Sequence, residues 1–178
     1  MKLIAIRHTT VNVPAGLCYG QTDVDTANSY DTEKNEIVSK LKNESFQAVY
    51  SSPSLRCRKL AEDIANGTPV TYDSRLLELN FGSWEGKTWD EITPTTEANN
   101  WFKDWINQPC PNGESYRQLL QRVKEFTTFL KQAHTNETLL VVTHSGVIRA
   151  LSCLLTGLDP NKSFEIKVDF GSITQLYL

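Results

Sequence analysis

The sequence predicts an α/β protein, built as a three-layer α/β/α sandwich around a mostly parallel, mixed sheet. Short apolar runs alternate with amphipathic segments along most of the chain, and this alternation is typical of a parallel sheet covered by helices on both faces. Two apolar runs near the C terminus, joined at Gly171-Ser172, predict a hairpin that adds at least one antiparallel strand. A length of 178 residues without a repeat or linker predicts one domain over 1–178.

The composition is that of an ordinary globular protein, with 39% hydrophobic and 22% charged residues. A net charge of −3 argues against nucleic-acid binding. No apolar stretch is long enough to cross a membrane, and the short apolar run after Met1-Lys2 leads us to expect no secretory signal. The four cysteines form no CxxC pair, so we expect reduced, buried thiols in a cytoplasmic protein, although their even number leaves disulfides open. A homodimer is compatible with these features.

The first elements are a strand, a long loop and a helix. Residues 2–6 are continuously apolar, as in a strand buried on both faces. Residues 9–30 contain prolines, glycines and asparagines, and so long an irregular segment in a compact domain is usually functional or disordered. Residues 31–43 carry apolar side chains at helical spacing on a charged background, which predicts an amphipathic helix.

A second strand, helix and strand follow. Residues 48–50 predict a short strand, and the helix after it is expected to begin with Ser52 as N-cap and Pro53 at its first position. That helix continues to about residue 65, where Gly67 is suited to end it. Residues 70–72 predict a third strand.

The central region is predicted to be irregular and the helix after it long. Prolines interrupt residues 76–113, which favour short helices and loops over one end of the sheet. Ser115 with Gln118 forms a candidate capping box for a helix that continues to about residue 133. Residues 138–143 then predict another buried strand.

The C-terminal part predicts one helix and two strands. Residues 147–155 are largely apolar and are followed by Gly157, a residue suited to end a helix. Residues 165–170 and 173–178 are the two strands of the predicted hairpin.

Polar residues follow three of the predicted strands. Arg7-His8 ends the first, Ser51-Ser52 ends the second and leads to Arg56, and His144 ends the strand at 138–143. In an open α/β sheet, ligands bind outside the carboxyl ends of the strands. Two imidazoles, two guanidinium groups and two helix N-termini at one such edge predict a phosphate pocket.

Each of these residues also has an ordinary structural interpretation. His8 or His144 alone is equally well explained as a hydrogen-bonded core histidine. Arg56 alone is more simply interpreted as a solvated helix residue, because the adjacent Arg58 and Lys59 are interpreted in the same way. Their recurrence at three strand ends favours the site. His134 lies in a polar segment, and we assign it no role.

Glu78 is the candidate proton donor. It lies among apolar neighbours, and a carboxyl group in such surroundings is suited to hold and transfer a proton. A surface-loop glutamate explains the same residue, and the sequence favours that simpler explanation. The chain has no GxSxG elbow, no Walker A loop, no GxGxxG, and no acidic cluster for a two-metal phosphatase.

Five motifs, in order along nearly the whole chain, resemble those of the histidine phosphatases, the phosphoglycerate-mutase-like family. They are Arg7-His8, Ser51-Ser52-Pro53-x-x-Arg56, Glu78 ahead of Gly82-x-Trp84-Glu85-Gly86, Gly113-Glu114-Ser115, and Thr143-His144-Ser145-Gly146.

The resemblance implies a phosphoglycerate-mutase-like fold and a role for each residue. His8 is expected to be the nucleophile that becomes phosphohistidine, with Arg7, Arg56 and His144 completing the phosphate pocket and Glu78 acting as general acid. This scheme implies no metal and no cofactor, and its partner is a small phosphorylated metabolite.

The residue after His8 bears on the substrate. The family usually has glycine where Thr9 stands, and Thr9 together with the segment Gly16–Val24 resembles the alpha-ribazole phosphatase branch, although residues 25–28 depart from that branch. The resemblance implies hydrolysis of alpha-ribazole 5′-phosphate in assembly of the cobalamin nucleotide loop. The substrate-binding residues expected from it are Tyr19, Gly20, Gln21, Thr22 and Ser145.

Two other functions stay open. The same chemistry would serve a broad-specificity sugar-phosphate or nucleotide phosphatase, or a phosphoglycerate-mutase-like enzyme. A phosphate-binding module without turnover is disfavoured, because the nucleophile His8 and the acid Glu78 are both present.

Overall fold

The structure is a computed structural model that describes residues 1–178. The strands are β1 (Lys2–Arg7), β2 (Ala48–Ser51), β3 (Val70–Tyr72), β4 (Thr138–Thr143) and β5 (Ile173–Tyr177). The α-helices are α1 (Tyr30–Leu41), α2 (Leu55–Ile64), α3 (Trp89–Ile92), α4 (Thr96–Lys103), α5 (Tyr116–Ala133) and α6 (Ser145–Thr156). Short 3-10 helices cover Ser74–Leu76, Gly82–Trp84 and Pro160–Glu165. None of the helices is both long and apolar enough to cross a membrane.

The five strands form one mixed sheet in the order β3-β2-β4-β1-β5. β1, β2, β3 and β4 are parallel, and β5 pairs antiparallel with β1. Arg7 is opposite Thr143 and Ser51 is opposite Val142, so the residues that follow β1, β4 and β2 emerge at one edge. This edge carries the site.

Two apolar cores lie on opposite faces of the sheet, which confirms the predicted three layers. Successive side chains of a strand point to opposite faces. Leu3 and Ala5 of β1 therefore belong to the core that includes α5 and α6, while Ile4 and Ile6 belong to the core that includes α1 and α2. The continuous apolar runs in β1 and β4 are explained by this double coverage.

The predicted C-terminal hairpin is wrong. Residues 160–165 form a 3-10 helix, residues 166–170 form no strand, and β5 pairs with β1 instead. Arginine side chains bind the carbonyl groups of this segment: Arg7 donates to the Val168 carbonyl at 2.7 Å and Arg149 to that of Ile166 at 3.2 Å. The segment therefore closes over the sheet edge rather than extending the sheet.

The start of α2 also differs from the prediction. The N-cap is Ser54, and both Ser52 and Pro53 precede the helix. Ser52 turns its hydroxyl toward the site, where it accepts the Ser54 amide at 3.3 Å. The side chain of Asp23, from the long loop, accepts the amide of Leu55 at 2.9 Å and so supplies the cap from a distant segment.

The other predicted helix ends are confirmed, except that the end of α2 is shifted by one residue. The Ser115–Gln118 capping box is present, and Gly157 ends α6 with a left-handed φ of 75°. At the end of α2, Asn66 adopts the first left-handed conformation, with φ 49°, and Gly67 follows it with φ 83°. The predicted irregular regions 9–30 and 76–113 contain only isolated bridges, 3-10 turns and short helices.

Candidate active site

His8 lies directly after β1 with its ring buried. Its Nδ1 atom is 2.8 Å from the carbonyl oxygen of Thr9. Because a carbonyl only accepts, this contact assigns the proton to Nδ1 and leaves a lone pair on Nε2. Nε2 in turn lies 3.3 Å from Nε of Arg56. The nitrogen that a nucleophilic histidine would use therefore points toward the cationic side of the site.

Thr9 contributes to the site through its backbone. Its side chain is completely buried, it does not line the cavity, and its hydroxyl has no hydrogen-bond partner. Its carbonyl orients His8, a task for which any residue at this position has the required group. An effect of Thr9 on the substrate is thus indirect.

His144 follows the neighbouring strand β4 and is fully buried. Its ring centre lies 5.2 Å from that of His8. Nε2 is 2.8 Å from the Ser52 hydroxyl, and Nδ1 is 3.3 Å from Nη2 of Arg56. A hydroxyl both donates and accepts, so Ser52 supports either tautomer of His144. A guanidinium only donates, so the contact with Arg56 leaves the lone pair on Nδ1 and the proton on Nε2, from which His144 donates to the Ser52 hydroxyl.

Both histidines are neutral at neutral pH. Burial, followed by the positive charge of Arg56, holds the pKa of His8 well below its usual range. The same two causes, in the same order, lower the pKa of His144, with His8 as a further contribution. A neutral imidazole is the form that attacks phosphorus.

Arg56 is the central cation of the site rather than a solvated helix residue. Its side chain is completely buried, and it donates to the carbonyl of Gly20 at 2.7 Å and that of Thr22 at 3.0 Å. Arg58 and Lys59 on the same helix are exposed, as expected. The loop at 9–30 thus buries an arginine that its own helix would otherwise leave in solvent.

Arg7 is the last residue of β1 and directly precedes His8. Its guanidinium is stacked 3.7 Å from the ring centre of Phe170 and donates to the carbonyl of Val168. Burial lowers the pKa of Arg7, while Tyr19 and Glu78 oppose that shift. Neither Arg7 nor Arg56 forms an ion pair with a carboxylate. Two unbalanced cations beside two neutral imidazoles make an anion site.

Glu78 reaches the same cavity as Arg7 and His8, and is not a surface-loop glutamate. Its Oε2 atom accepts the amide of Gly146 at 3.1 Å and the hydroxyl of Ser145 at 3.3 Å, both at the N-terminus of α6. Its Oε1 accepts the amide of Leu79 at 2.9 Å. The carboxyl group is thus fixed at the wall of a cavity of about 220 Å³.

The predicted substrate-binding residues divide into two groups. Tyr19, Gly20 and Ser145 line the cavity, and the Tyr19 ring lies 5.2 Å from the guanidinium of Arg56. Gln21 and Thr22 do not line it. Gln21 donates its side-chain amide to the carbonyl of Glu78 at 3.0 Å, and Thr22 supplies a carbonyl to Arg56, so both support the site from behind.

Sequence reasoning gave no role to Arg149, which also lines the cavity. It lies one helical turn after Ser145 on α6, and this i, i+4 spacing is the signal that places both on one face. Its Nε atom donates to the carbonyl of Ile166, and both Nη atoms have no hydrogen-bond partner. Aromatic side chains complete the wall, and their sequence spacing gave no sign of it; they include Phe81, Trp89, Tyr116 and Phe164.

Glu85 was part of a recognised motif but had no assigned function. Its Oε1 atom accepts the amide of Gln21 at 2.9 Å and that of Phe81 at 3.1 Å, and its Oε2 accepts the amide of Thr22 at 2.7 Å. A Cβ on Gly20 would lie only 2.3 Å from this carboxylate. Glu85 therefore fastens the loop that carries Tyr19 and Gly20.

No group of three His, Cys, Asp or Glu side chains lies close enough together to hold a metal ion. The polar groups that line the cavity include Arg7, Arg149, the neutral imidazole of His8 and the carboxyl group of Glu78, and Nε of Arg56 donates to Nε2 of His8. Such a set can transfer a phosphoryl group to nitrogen and protonate the leaving oxygen.

Comparison with known proteins finds phosphatases among the relatives of this chain. A phosphoserine phosphatase 1 from Hydrogenobacter thermophilus is 28% identical over 100% of this chain and 87% of the relative. An adenosylcobalamin/alpha-ribazole phosphatase from Escherichia coli K12 is 29% identical over 96% of this chain and 87% of the relative. The crystal structure of the alpha-ribazole phosphatase from Shigella flexneri superimposes with a TM-score of 0.91 at 25% identity, covering 98% and 89% of the two chains.

The family model of the histidine phosphatase superfamily (branch 1) matches residues 3–178, which is nearly all of the sequence. The fold is that of the phosphoglycerate-mutase-like histidine phosphatases. The chain belongs to the histidine phosphatase superfamily.

Proposed function

We propose that this protein is a metal-independent phosphomonoesterase that works through a phosphohistidine on His8. The orientation of His8 carries the proposal. Because Nδ1 is held by the Thr9 carbonyl, Nε2 presents its lone pair beside Arg56 and His144. A nucleophilic histidine needs both the orienting acceptor and the adjacent cations.

The reaction takes two displacements. Nε2 of His8 forms a bond to phosphorus while the bond from phosphorus to the leaving oxygen breaks, and Glu78 gives its proton to that oxygen. Arg7 and Arg56 balance the charge on the phosphoryl oxygens, and the neutral ring of His144 completes the pocket beside His8. Water then attacks phosphorus and loses a proton to Glu78, while the electron pair of the N–P bond returns to His8.

Replacing His8 tests the nucleophile. We expect His8→Ala to reduce turnover to background, since no other unprotonated imidazole has its Nε2 in the cavity. Rapid acid-free quenching of the wild type with ³²P-labelled substrate should trap a label that is stable in base and labile in acid, as phosphohistidine is. A full rate in His8→Ala would overturn the mechanism.

We propose alpha-ribazole 5′-phosphate as the substrate. Support comes from the alpha-ribazole phosphatases among the relatives and from the shape of the cavity. Phe81, Trp89 and Phe164 form a wall shared with an adjoining apolar groove of about 540 Å³. A flat, apolar base attached to a phosphorylated ribose suits a phosphate pocket that opens into such a groove.

A phosphorylated amino acid such as phosphoserine is the second candidate, and Arg149 favours it. The two Nη atoms of Arg149 have no hydrogen-bond partner, and Arg149 lines the same cavity as Arg7 and His8. A planar guanidinium matches a carboxylate in bidentate geometry. The phosphoserine phosphatase among the relatives shows that this family includes such an activity.

Three substrates separate these possibilities. Alpha-ribazole 5′-phosphate and ribose 5-phosphate differ only by the base, and phosphoserine carries a carboxylate instead. We expect kcat/KM to be at least about tenfold higher for alpha-ribazole 5′-phosphate than for ribose 5-phosphate, since burying a ring is favourable by more than 1.4 kcal/mol. Highest kcat/KM on phosphoserine, lost in Arg149→Leu, would replace the first candidate by the second. Equal values on all three would indicate a broad-specificity phosphatase.

A further inference from the structure

Glu78 lies in a segment that is not itself part of a strand or helix. The 3-10 helix at 74–76 ends just before it, and residues 77–81 have no regular structure. A general acid must stay within hydrogen-bond reach of the leaving oxygen, so this segment needs another support. We propose that Arg122 and Glu114 form a brace that positions Glu78 for proton transfer, an inference that rests on the proposed role of Glu78.

Arg122, on α5, binds the backbone on the N-terminal side of Glu78 and at Glu78 itself. Its Nη1 atom donates to the carbonyl oxygens of Arg75 at 2.7 Å and Leu77 at 2.6 Å. Its Nη2 atom donates to the carbonyl of Glu78 at 2.9 Å. One guanidinium thus fixes three carbonyl groups within four residues of chain.

Glu114 completes the brace on the C-terminal side. Its Oε1 accepts from Nε of Arg122 at 2.7 Å and its Oε2 from Nη2 at 2.9 Å. Oε2 also accepts the amide of Asn80 at 3.2 Å, and the Glu114 amide donates to the Asn80 carbonyl at 2.8 Å. The side chains of Arg122 and Glu114 are only 17% and 14% exposed, so water competes little for these bonds.

The brace touches the backbone of Glu78 from behind and does not line the cavity. The carboxyl group is fixed separately, by Gly146 and Ser145 at the start of α6. Arg122 and Glu114 are therefore positioning residues, and their loss should displace the acid while leaving His8 and the phosphate-binding groups in place. A lysine presents a single point of charge and cannot reproduce the planar fork.

The dependence of rate on the leaving group tests this role. An alkoxide must be protonated as it leaves, whereas p-nitrophenolate is stable enough to leave without an acid. We expect Arg122→Met to lower kcat/KM for an alkyl phosphate such as glycerol 3-phosphate by about 10–100-fold, and for p-nitrophenyl phosphate by less than about threefold. Glu78→Gln should show the same selectivity with a larger loss. Arg122→Lys, which keeps the charge, serves if Arg122→Met does not fold, and should show a weaker selective loss.

Arg117→Met is the matched control, because Arg117 is on the same helix, is exposed and binds only Asn107. This variant should leave kcat/KM unchanged for both substrates. One outcome is that Glu78→Gln lowers kcat/KM selectively for the alkyl phosphate while the Arg122 variants lower kcat/KM equally for both substrates. In that case the brace is merely structural and the proposal is wrong. If Glu78→Gln is not selective either, the acid role of Glu78 fails and the positioning role fails with it. Loss of p-nitrophenyl phosphatase activity in His8→Ala would still support the phosphohistidine step in both cases.

Discussion

Arg7 and Arg56 are cations without a carboxylate partner, and Arg56 is completely buried. A buried charge is costly unless it is compensated, and here backbone carbonyls provide only part of the compensation. An anion that binds between them completes it. The site is therefore arranged so that phosphate binding also stabilises the folded protein.

Inorganic phosphate should raise the melting temperature of the protein. At a concentration of 100 times its Kd, a ligand that binds only the folded state adds about 2.7 kcal/mol to the free energy of unfolding. We expect differential scanning fluorimetry to show this shift in the wild type and its loss in Arg56→Met. Arg58→Met is the control, since Arg58 is exposed on the same helix. A shift that survives in Arg56→Met would place the anion elsewhere.

The two neutral histidines also make stability depend on pH. In the folded protein their pKa values lie well below the usual value of 6.5, while in the unfolded chain they titrate near it. As the pH falls below 6.5, the unfolded state binds more protons than the folded state, so the free energy of unfolding decreases. The stability that these histidines contribute is present above pH 6.5 and is lost below it.

Urea unfolding between pH 7.5 and 5.5 measures this effect. Each histidine contributes at most about 1.4 kcal/mol per pH unit below 6.5. The double variant His8→Asn/His144→Asn should show a much flatter profile over that range. An identical slope in the two proteins would mean that the folded state protonates these rings as readily as the unfolded chain does.

Among the elements, the loop at 9–30 is organised by groups outside it. Glu85 binds the amides of Gln21 and Thr22, and Asp23 reaches out to cap α2. Gly20 has a left-handed φ of 37° and lies against the Glu85 carboxylate, where a Cβ has no room. The loop is accordingly a fixed wall of the site.

Glu85→Gln should loosen this loop. An amide retains one acceptor oxygen, so at least one of the three backbone amides loses its partner, at a cost of about 0.5–1.5 kcal/mol in the free energy of unfolding. We also expect a higher KM, since Tyr19 and Gly20 move with the loop. Glu125→Gln is the control, because the side chain of Glu125 accepts a hydrogen bond only from an exposed glutamine, Gln121. This substitution should change the free energy of unfolding by less than about 0.5 kcal/mol. Equal effects of the two substitutions would contradict this role.

The elements also show what a sequence can predict. The start of α5 follows from Ser115 and Gln118, which satisfy each other's backbone within one turn, so a local pattern was sufficient. The segment at 165–170 has a strand-like pattern, but its carbonyls are taken by Arg7 and Arg149, which are remote in sequence. Local signals predicted elements well, and failed where a distant side chain competed for the backbone.

The same limit applied to the site. The histidines were found because strand ends converge at one sheet edge, a rule of topology that needs no side-chain detail. The burial of Arg56 depends on carbonyls of Gly20 and Thr22, and the place of Glu78 depends on α6, so neither environment could be deduced from neighbouring residues. Arg149 required knowledge of which face of α6 meets the cavity.

For the molecule as a whole, the four cysteines report on the integrity of the fold. All four are free and buried; Cys18 and Cys110 belong to one apolar core and Cys57 to the other. Burial raises the pKa of Cys18 to about 12 and likewise that of Cys110. A buried, protonated thiol is inert.

An aromatic disulfide reagent should therefore find no reactive thiol in the native protein and four in urea. Dithiothreitol should leave the melting temperature unchanged, because no disulfide contributes to stability. One thiol that reacts rapidly in the native state would show local opening, and its identity, found by mass spectrometry, would show where. Fewer than four in urea would contradict the free-thiol assignment.

The order of strands in the sheet also governs when activity can appear. β1, which ends next to His8, pairs with β4, which ends next to His144, and residues 8–137 lie between the two strands. Closing so long a loop is entropically slow, and contacts between distant segments dominate the folding time. A ribosome must have released the chain as far as His144 before the two imidazoles can meet. The recovery of phosphatase activity during refolding therefore reports the last large step of folding. It should occur later than the recovery of the helical signal.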